Sequence, residues 1–314
     1  MIDPANASAP AKPKSCLRRW GIRIVRIAVV VYLAACLLLY MFQNWIIFPG
    51  AYVHGQHAAT VSASAGREIL SLRTPDGHAV AALFAPALDA YGSSRPDAAT
   101  CPTILYFYGN GDCIATSLGV IDAFRRLGCN VLCPEYIGYP MSGGKPSEAG
   151  LYATADVGWA YLQTRSDVDP HKIIIVGRSL GGAAAVDLAA RDRPAGLALF
   201  SAFTSMHEMA RKVLPMFPTG LFLTAHFDNE QKIADVKCPV FLAHGREDDL
   251  VPYSMMARLA ARVRTPVTVC PIDRANHNDI FPVGGEQMLE NLAEFIRALP
   301  IAPNPSPTSA PSTP

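Results

Sequence analysis

The chain has 314 residues, half of them hydrophobic and only 17% charged, which is ample material for a sizeable core and excludes a disordered polyelectrolyte. Its formal net charge is +1 and Lys and Arg form no basic stripe in the body of the chain, so nucleic acid is not an expected partner. None of the eight cysteines are paired as C-x-x-C, so no metal site is expected.

Residues 1–15 are rich in Ala, Pro and Ser, and the basic segment 1–21 is expected to be disordered. A membrane anchor is expected over 22–48, because the run Ile27 to Ile47 contains no charged residue and about 20 apolar residues span a bilayer. Tyr40, Trp45 and Phe48 stand toward its far end, where aromatic rings favour the headgroup region. Lys12, Lys14, Arg18, Arg19, Arg23 and Arg26 all precede it. By the positive-inside rule the N-terminus is then cytoplasmic and everything after Phe48 is outside. A cleaved signal peptide is the first alternative, although its apolar core is usually ~7–15 residues. The second is lipidation at Leu33-Ala34-Ala35-Cys36, against which the residues after Cys36 stay apolar. In an external domain Cys101, Cys113, Cys129, Cys133, Cys238 and Cys270 have access to oxidants, but several lie in strand-like apolar runs that suit reduced core thiols equally well.

Strands and helices then alternate. A hairpin is expected from 67–73 and 79–85 around the turn Thr74-Pro75-Asp76-Gly77. The run 103–108 reads as a strand and 114–127 as a helix; 130–136 is a strand, 147–165 a helix. Lys172 to Val176 is a buried strand leading to Ser179 and a helix. Three more strands follow at 196–202, 239–245 and 266–272, and a last helix at 285–299 places Met288, Leu289, Leu292, Phe295, Ile296 and Leu299 at helical spacing. The later strands are continuous apolar runs, as in a parallel sheet covered on both faces. The fold class is therefore α/β: an eight-stranded, mostly parallel sheet in one domain over 49–300, with a small helical excursion at 203–236 over one edge of the site. The tail 301–314 is Pro- and Ser-rich and expected to be disordered.

Ligands of such sheets bind beyond the carboxyl ends of the strands. There, Gly177-Arg178-Ser179-Leu180-Gly181 forms G-x-S-x-G between a buried strand and a helix, the setting of a nucleophile elbow. The pattern alone arises by chance in roughly one chain in ten of this length. A plain N-cap serine is the alternative, but it needs no glycine on either side. A serine nucleophile requires a base. After Ser179 come His207 and His226 in the excursion, His244 in a strand end where a core or turn role is expected, and His277 in the loop after the last strand. His277 is the expected base. The loop after the strand 239–243 offers Glu247, Asp248 and Asp249 as the acid that orients it.

These segments, with 107–112, 138–156, 177–182, 244–252 and 276–279, resemble an α/β-hydrolase, and more narrowly the single-span serine hydrolases of the ABHD type. The resemblance implies the pattern His-Gly-x-x-Asp-x-x-Val-Pro on His244 to Pro252, which selects Asp248. It also implies an oxyanion hole from the backbone N–H of Leu180 and that of Asn110, with Gly111 next in line. Two departures stand out: Tyr108 where the family usually has histidine, and Pro140 where it usually has glycine. The implied activity is cofactor-free and metal-free hydrolysis of an ester or thioester, on a small-molecule or lipid acyl substrate, through Ser179, His277 and Asp248. The alternatives are a peptidase of the same fold and a non-catalytic, membrane-tethered binding protein.

Overall fold

The computed structural model describes residues 14–53, 59–64 and 66–300, and the chain falls into two compact units, Met1–Gln43 and Asn44–Pro314. The expectations for 1–13 and 301–314 lie outside the described residues.

Between Pro13 and Pro49 the sequence holds no proline, and the helix α1 fills that interval from Lys14 to Ile47. It begins inside the segment expected to be disordered. The reason is composition: once the prolines stop, Lys, Leu and Arg are good helix formers. Its stretch Arg18–Ile47 has 30 residues, contains an 18-residue window of mean hydropathy 2.4, and exposes apolar side chains such as Ile27, Val30 and Leu37. At ~1.5 Å per residue it is long enough to cross a ~30 Å hydrocarbon core.

The second unit is built on eight strands: β1 (Glu68–Arg73), β2 (Ala79–Ala85), β3 (Thr103–Phe107), β4 (Asn130–Pro134), β5 (Ile173–Arg178), β6 (Gly196–Phe200), β7 (Val240–Gly245) and β8 (Val267–Ile272). They lie in the order β1-β2-β4-β3-β5-β6-β7-β8. The first hairpin is antiparallel and joins β4 antiparallel, whereas β4 to β8 are all parallel. Every residue of β3, β4 and β6 is buried, as continuous apolar runs in a doubly covered sheet must be. At the edge, β8 leaves Val267 and Val269 40% and 43% exposed.

The helices are α2 (Leu118–Arg126), α3 (Glu148–Thr164), α4 (Leu180–Arg191), α5 (Met206–Val213), α6 (Thr219–Phe222), α7 (Asn229–Lys232), α8 (Tyr253–Arg262) and α9 (Ile280–Ala298). Two differ from the sequence expectation. α2 starts four residues late, because Thr116 Oγ1 accepts the Cys113 N–H (2.9 Å) and holds 113–117 in turns. α9 starts five residues early and breaks at Gly285, whose φ of 47° interrupts the helix where the apolar spacing begins. Residues 203–236 contain α5, α6 and α7, and Lys212 on α5 donates to the carbonyls of Asp249 and Leu250, bracing the acidic loop. The six cysteines from Cys101 to Cys270 are buried free thiols.

Because β3, β5, β7 and β8 run parallel, their carboxyl ends share one side of the sheet. β5 and α4 meet there at a sharp turn. Ser179 has φ 50° and ψ −116°, and its N–H donates to the Phe200 carbonyl of β6 (2.9 Å). A Cβ on Gly181 would stand 2.1 Å from the Phe107 carbonyl oxygen, and one on Gly177 would stand 2.4 Å from the Gly181 oxygen. Both glycines are required by backbone packed against backbone, which cannot yield as a side chain does. We therefore expect Gly181→Ala to cost about 3 kcal/mol or more in thermal or denaturant unfolding of the detergent-solubilised chain. Gly119→Ala, on an exposed part of α2 with nothing within 4 Å, should be neutral or stabilising by up to ~1 kcal/mol.

Candidate active site

Ser179 is 8% exposed, and its side chain makes no cap hydrogen bond to α4. Its Oγ instead lies 2.9 Å from His277 Nε2. His277 Nδ1 lies 2.8 Å from Asp248 Oδ2. The three side chains come from the ends of β5, β7 and β8. Each is set by its own loop. In the loop after β8, Asn276 Oδ1 accepts the His277 N–H (2.6 Å) and the Asp249 N–H (3.3 Å), which ties the histidine loop to the acidic loop. Asp248 Oδ1 accepts the N–H groups of Leu250 (3.1 Å) and Val251 (2.7 Å).

Of the three candidate acids, Glu247 and Asp249 are exposed and only Asp248 is buried against the histidine. Burial acts to raise its pKa. Hydrogen bonds from His244 and His277, the charge attraction of His277 and the Val251 N–H outweigh that and hold the carboxyl well below the usual carboxylate range. Asp248 is therefore an anion, able to accept from Nδ1–H and leave Nε2 as the basic nitrogen facing Ser179.

His244 is more than the core or turn residue expected from its strand-end position. It is fully buried, with Nε2 2.8 Å from the Val251 carbonyl and 3.2 Å from Asp248 Oδ2. A carbonyl accepts only, so Nε2 carries the proton and Asp248 receives a second imidazole N–H. The four-residue spacing from His244 to Asp248 was the available signal, but strand periodicity masks it. His207 packs beside Gly220 and His226 is exposed in the excursion; neither joins the triad.

The loop after β3 carries the second expected donor. Its first three carbonyls are held: Tyr108 O by the Tyr136 hydroxyl (2.6 Å), Gly109 O by the Asp112 N–H (3.1 Å), and Asn110 O by the Tyr139 hydroxyl (2.7 Å) and the Gly50 N–H (3.0 Å). The Asn110 side chain donates to the Ile47 carbonyl (3.1 Å). The N–H groups of Asn110 and Gly111 have no partner among the described residues, and neither has that of Leu180 at the first position of α4. Ser179 lies beside this loop, 3.8 Å from where a Cβ on Gly109 would be.

Tyr108, the departure from histidine, is fully buried and donates its hydroxyl to Glu135 Oε1, while accepting the Tyr136 N–H (3.2 Å). Burial raises the Glu135 carboxyl to about 7 against the opposing hydrogen bonds from Tyr108 and the Ile114 N–H. Pro140 occupies the second position of a turn closed by Ser142 N–H to Tyr139 O (3.0 Å), where a fixed φ favours proline.

Comparisons with known proteins agree with this architecture. Residues 145–270 match the dienelactone hydrolase family. An uncharacterized Mycobacterium tuberculosis protein is 31% identical over 273 residues, covering 86% of this chain and 93% of its own. Human alpha/beta hydrolase domain-containing protein 17B is 34% identical, covering 73% of this chain and 75% of its own. Among solved structures, the Pyrococcus furiosus esterase Pf2001 has a TM-score of 0.61 at 17% identity, covering 76% of this chain and 97% of its own. By sequence relatives and sheet topology together, the chain belongs to the α/β-hydrolase superfamily.

Proposed function

We propose that this α/β hydrolase is a membrane-anchored serine hydrolase that cleaves ester or thioester bonds of acyl or lipid-type substrates. The observation that carries the reading is the unbroken hydrogen-bond chain Asp248–His277–Ser179, buried at the carboxyl end of the sheet. In this reading Ser179 Oγ attacks the acyl carbonyl as His277 Nε2 takes its proton, and Asp248 stabilises the imidazolium. The N–H groups of Leu180 and Asn110 receive the tetrahedral oxyanion, each donor contributing on the order of 10²–10³ in rate. His277 then protonates the leaving group, and in the second half activates water against the acyl-enzyme. The strained backbone at Ser179 also supports the reading, since a mere cap would adopt ordinary extended angles.

The basic residues ahead of the apolar run support an N-terminus on the cytoplasmic side and the hydrolase unit outside.

The full-length chain in detergent should be labelled by a fluorophosphonate probe, and Ser179→Ala should not. Asp248→Asn should lower kcat by roughly 10³–10⁴-fold on a p-nitrophenyl acyl ester, because it leaves the wrong imidazole tautomer. Equal or absent labelling of wild type and Ser179→Ala would favour the non-catalytic binding protein instead. For topology, a periplasm-dependent reporter fused after Phe48 should be active, and activity only of a cytoplasmic reporter would reverse the assignment.

The raised Glu135 carboxyl predicts a pH slope. Between its ordinary value near 4.5 and about 7, the folded state keeps a proton that the unfolded state has released. The stability due to this group is thus full below about pH 4.5 and lost as pH rises through about 7. Thermal melts should show the wild-type Tm falling from pH 5 to pH 8 by more than that of Glu135→Gln. Equal slopes would mean that Glu135 ionises freely.

A further inference from the structure

Arg178, between Gly177 and Ser179, has no part in the proton transfers above. It is the last residue of β5, and its side chain is only 14% exposed. Its guanidinium lies against the loop after β3: a Cβ on Gly109 would be 3.5 Å from Nη1 and 3.8 Å from Ser179 Cβ. Nη1 donates to Asp112 Oδ2 at 2.7 Å. Nη2 donates to the His277 main-chain carbonyl at 3.2 Å, with Asn278 Oδ1 at 3.5 Å. One planar group thus touches the nucleophile elbow, the loop that carries Asn110 and the loop that carries the histidine.

We infer that Arg178 is a positioning residue that holds the oxyanion loop and the histidine loop in register with Ser179, a role that rests on the serine-hydrolase reading. Two lines of force run from it. Asp112, fixed by the guanidinium, donates its own N–H to the Gly109 carbonyl (3.1 Å). The Gly109–Asn110 peptide is planar, so holding that carbonyl on one side aims the Asn110 N–H to the other. The second line fixes the main chain of His277 itself, leaving the imidazole seated between Asp248 and Ser179. Arginine suits the task because its fork is rigid and presents several donors in one plane. A lysine ammonium is a point charge on a flexible stem and cannot serve both loops with the same geometry. The pair with Asp112, itself 29% exposed, is more shielded than a surface ion pair.

The test uses the full-length chain in detergent, with kcat and KM on a p-nitrophenyl ester, fluorophosphonate labelling rate per folded molecule, and Tm. Arg178→Gln should lower kcat and labelling rate by about 10–100-fold with KM changed by less than about threefold, the pattern of displaced reacting groups. Asp112→Asn should fall in the same direction but less. The double variant should be no worse than Arg178→Gln, since the two act as a unit. Arg178→Lys should lie between Arg178→Gln and wild type. The inference is overturned if Arg178→Gln keeps kcat within about twofold, or if Arg178→Lys and Asp112→Asn lose activity only in proportion to folded protein. A wild-type chain that takes no fluorophosphonate overturns the hydrolase reading itself, and the positioning role with it.

Discussion

A serine held at φ 50° and ψ −116° is conformationally expensive, of the order of 1–3 kcal/mol, and it persists only where its surroundings leave no alternative. Those surroundings are the central strands. The Ser179 N–H is engaged by β6, Gly177 and Gly181 let α4 close on β5, and Gly181 lies against the last carbonyl of β3. A helix of small residues, Gly181 to Ala185, can approach the sheet this closely. The turn therefore exposes one hydroxyl at the rim of the site while the backbone beneath it is locked.

The loop beside that serine is organised by a different principle. The carbonyls of Tyr108, Gly109 and Asn110 are held by two tyrosine hydroxyls and main-chain amides, while the N–H groups of Asn110 and Gly111 stay unengaged among the described residues. Tyr108 replaces the more usual histidine without loosening this loop, because Glu135 waits beneath it to receive the phenol. A buried carboxyl near neutrality is the cost of that substitution, offset by two hydrogen bonds and by the aromatic packing of Tyr108 with Tyr136 and Tyr139. The same loop is tethered to the start of its unit through Ile47 and Gly50.

The strands, the hairpin and the triad candidates were legible because each rests on local pattern: apolar runs, turn residues, and glycines around one serine. Asp248 was not separable from Glu247 and Asp249 by charge alone; burial separates them, and burial depends on how the acidic loop folds against β8. Arg178, Asp112 and Glu135 gave little sign in the sequence. Their partners lie across loops far apart in the chain, as with Arg178 and His277, and no periodicity records such contacts. Helix ends were misread where side chains compete with the helix, at Thr116, or where a glycine breaks it, at Gly285.

The open edge of the sheet has a further consequence. Val240 N–H reaches the Pro266 carbonyl and Arg246 N–H reaches the Ile272 carbonyl, so the even-numbered residues of β8 turn their peptide groups toward β7. The odd-numbered ones face outward, and one of them is Pro271, which has no amide hydrogen to offer. A foreign strand seeking to extend the sheet past Val267 and Val269 meets apolar side chains but an interrupted ladder. The imino ring acts as a guard against self-association at the border where hydrophobic surface would otherwise invite it.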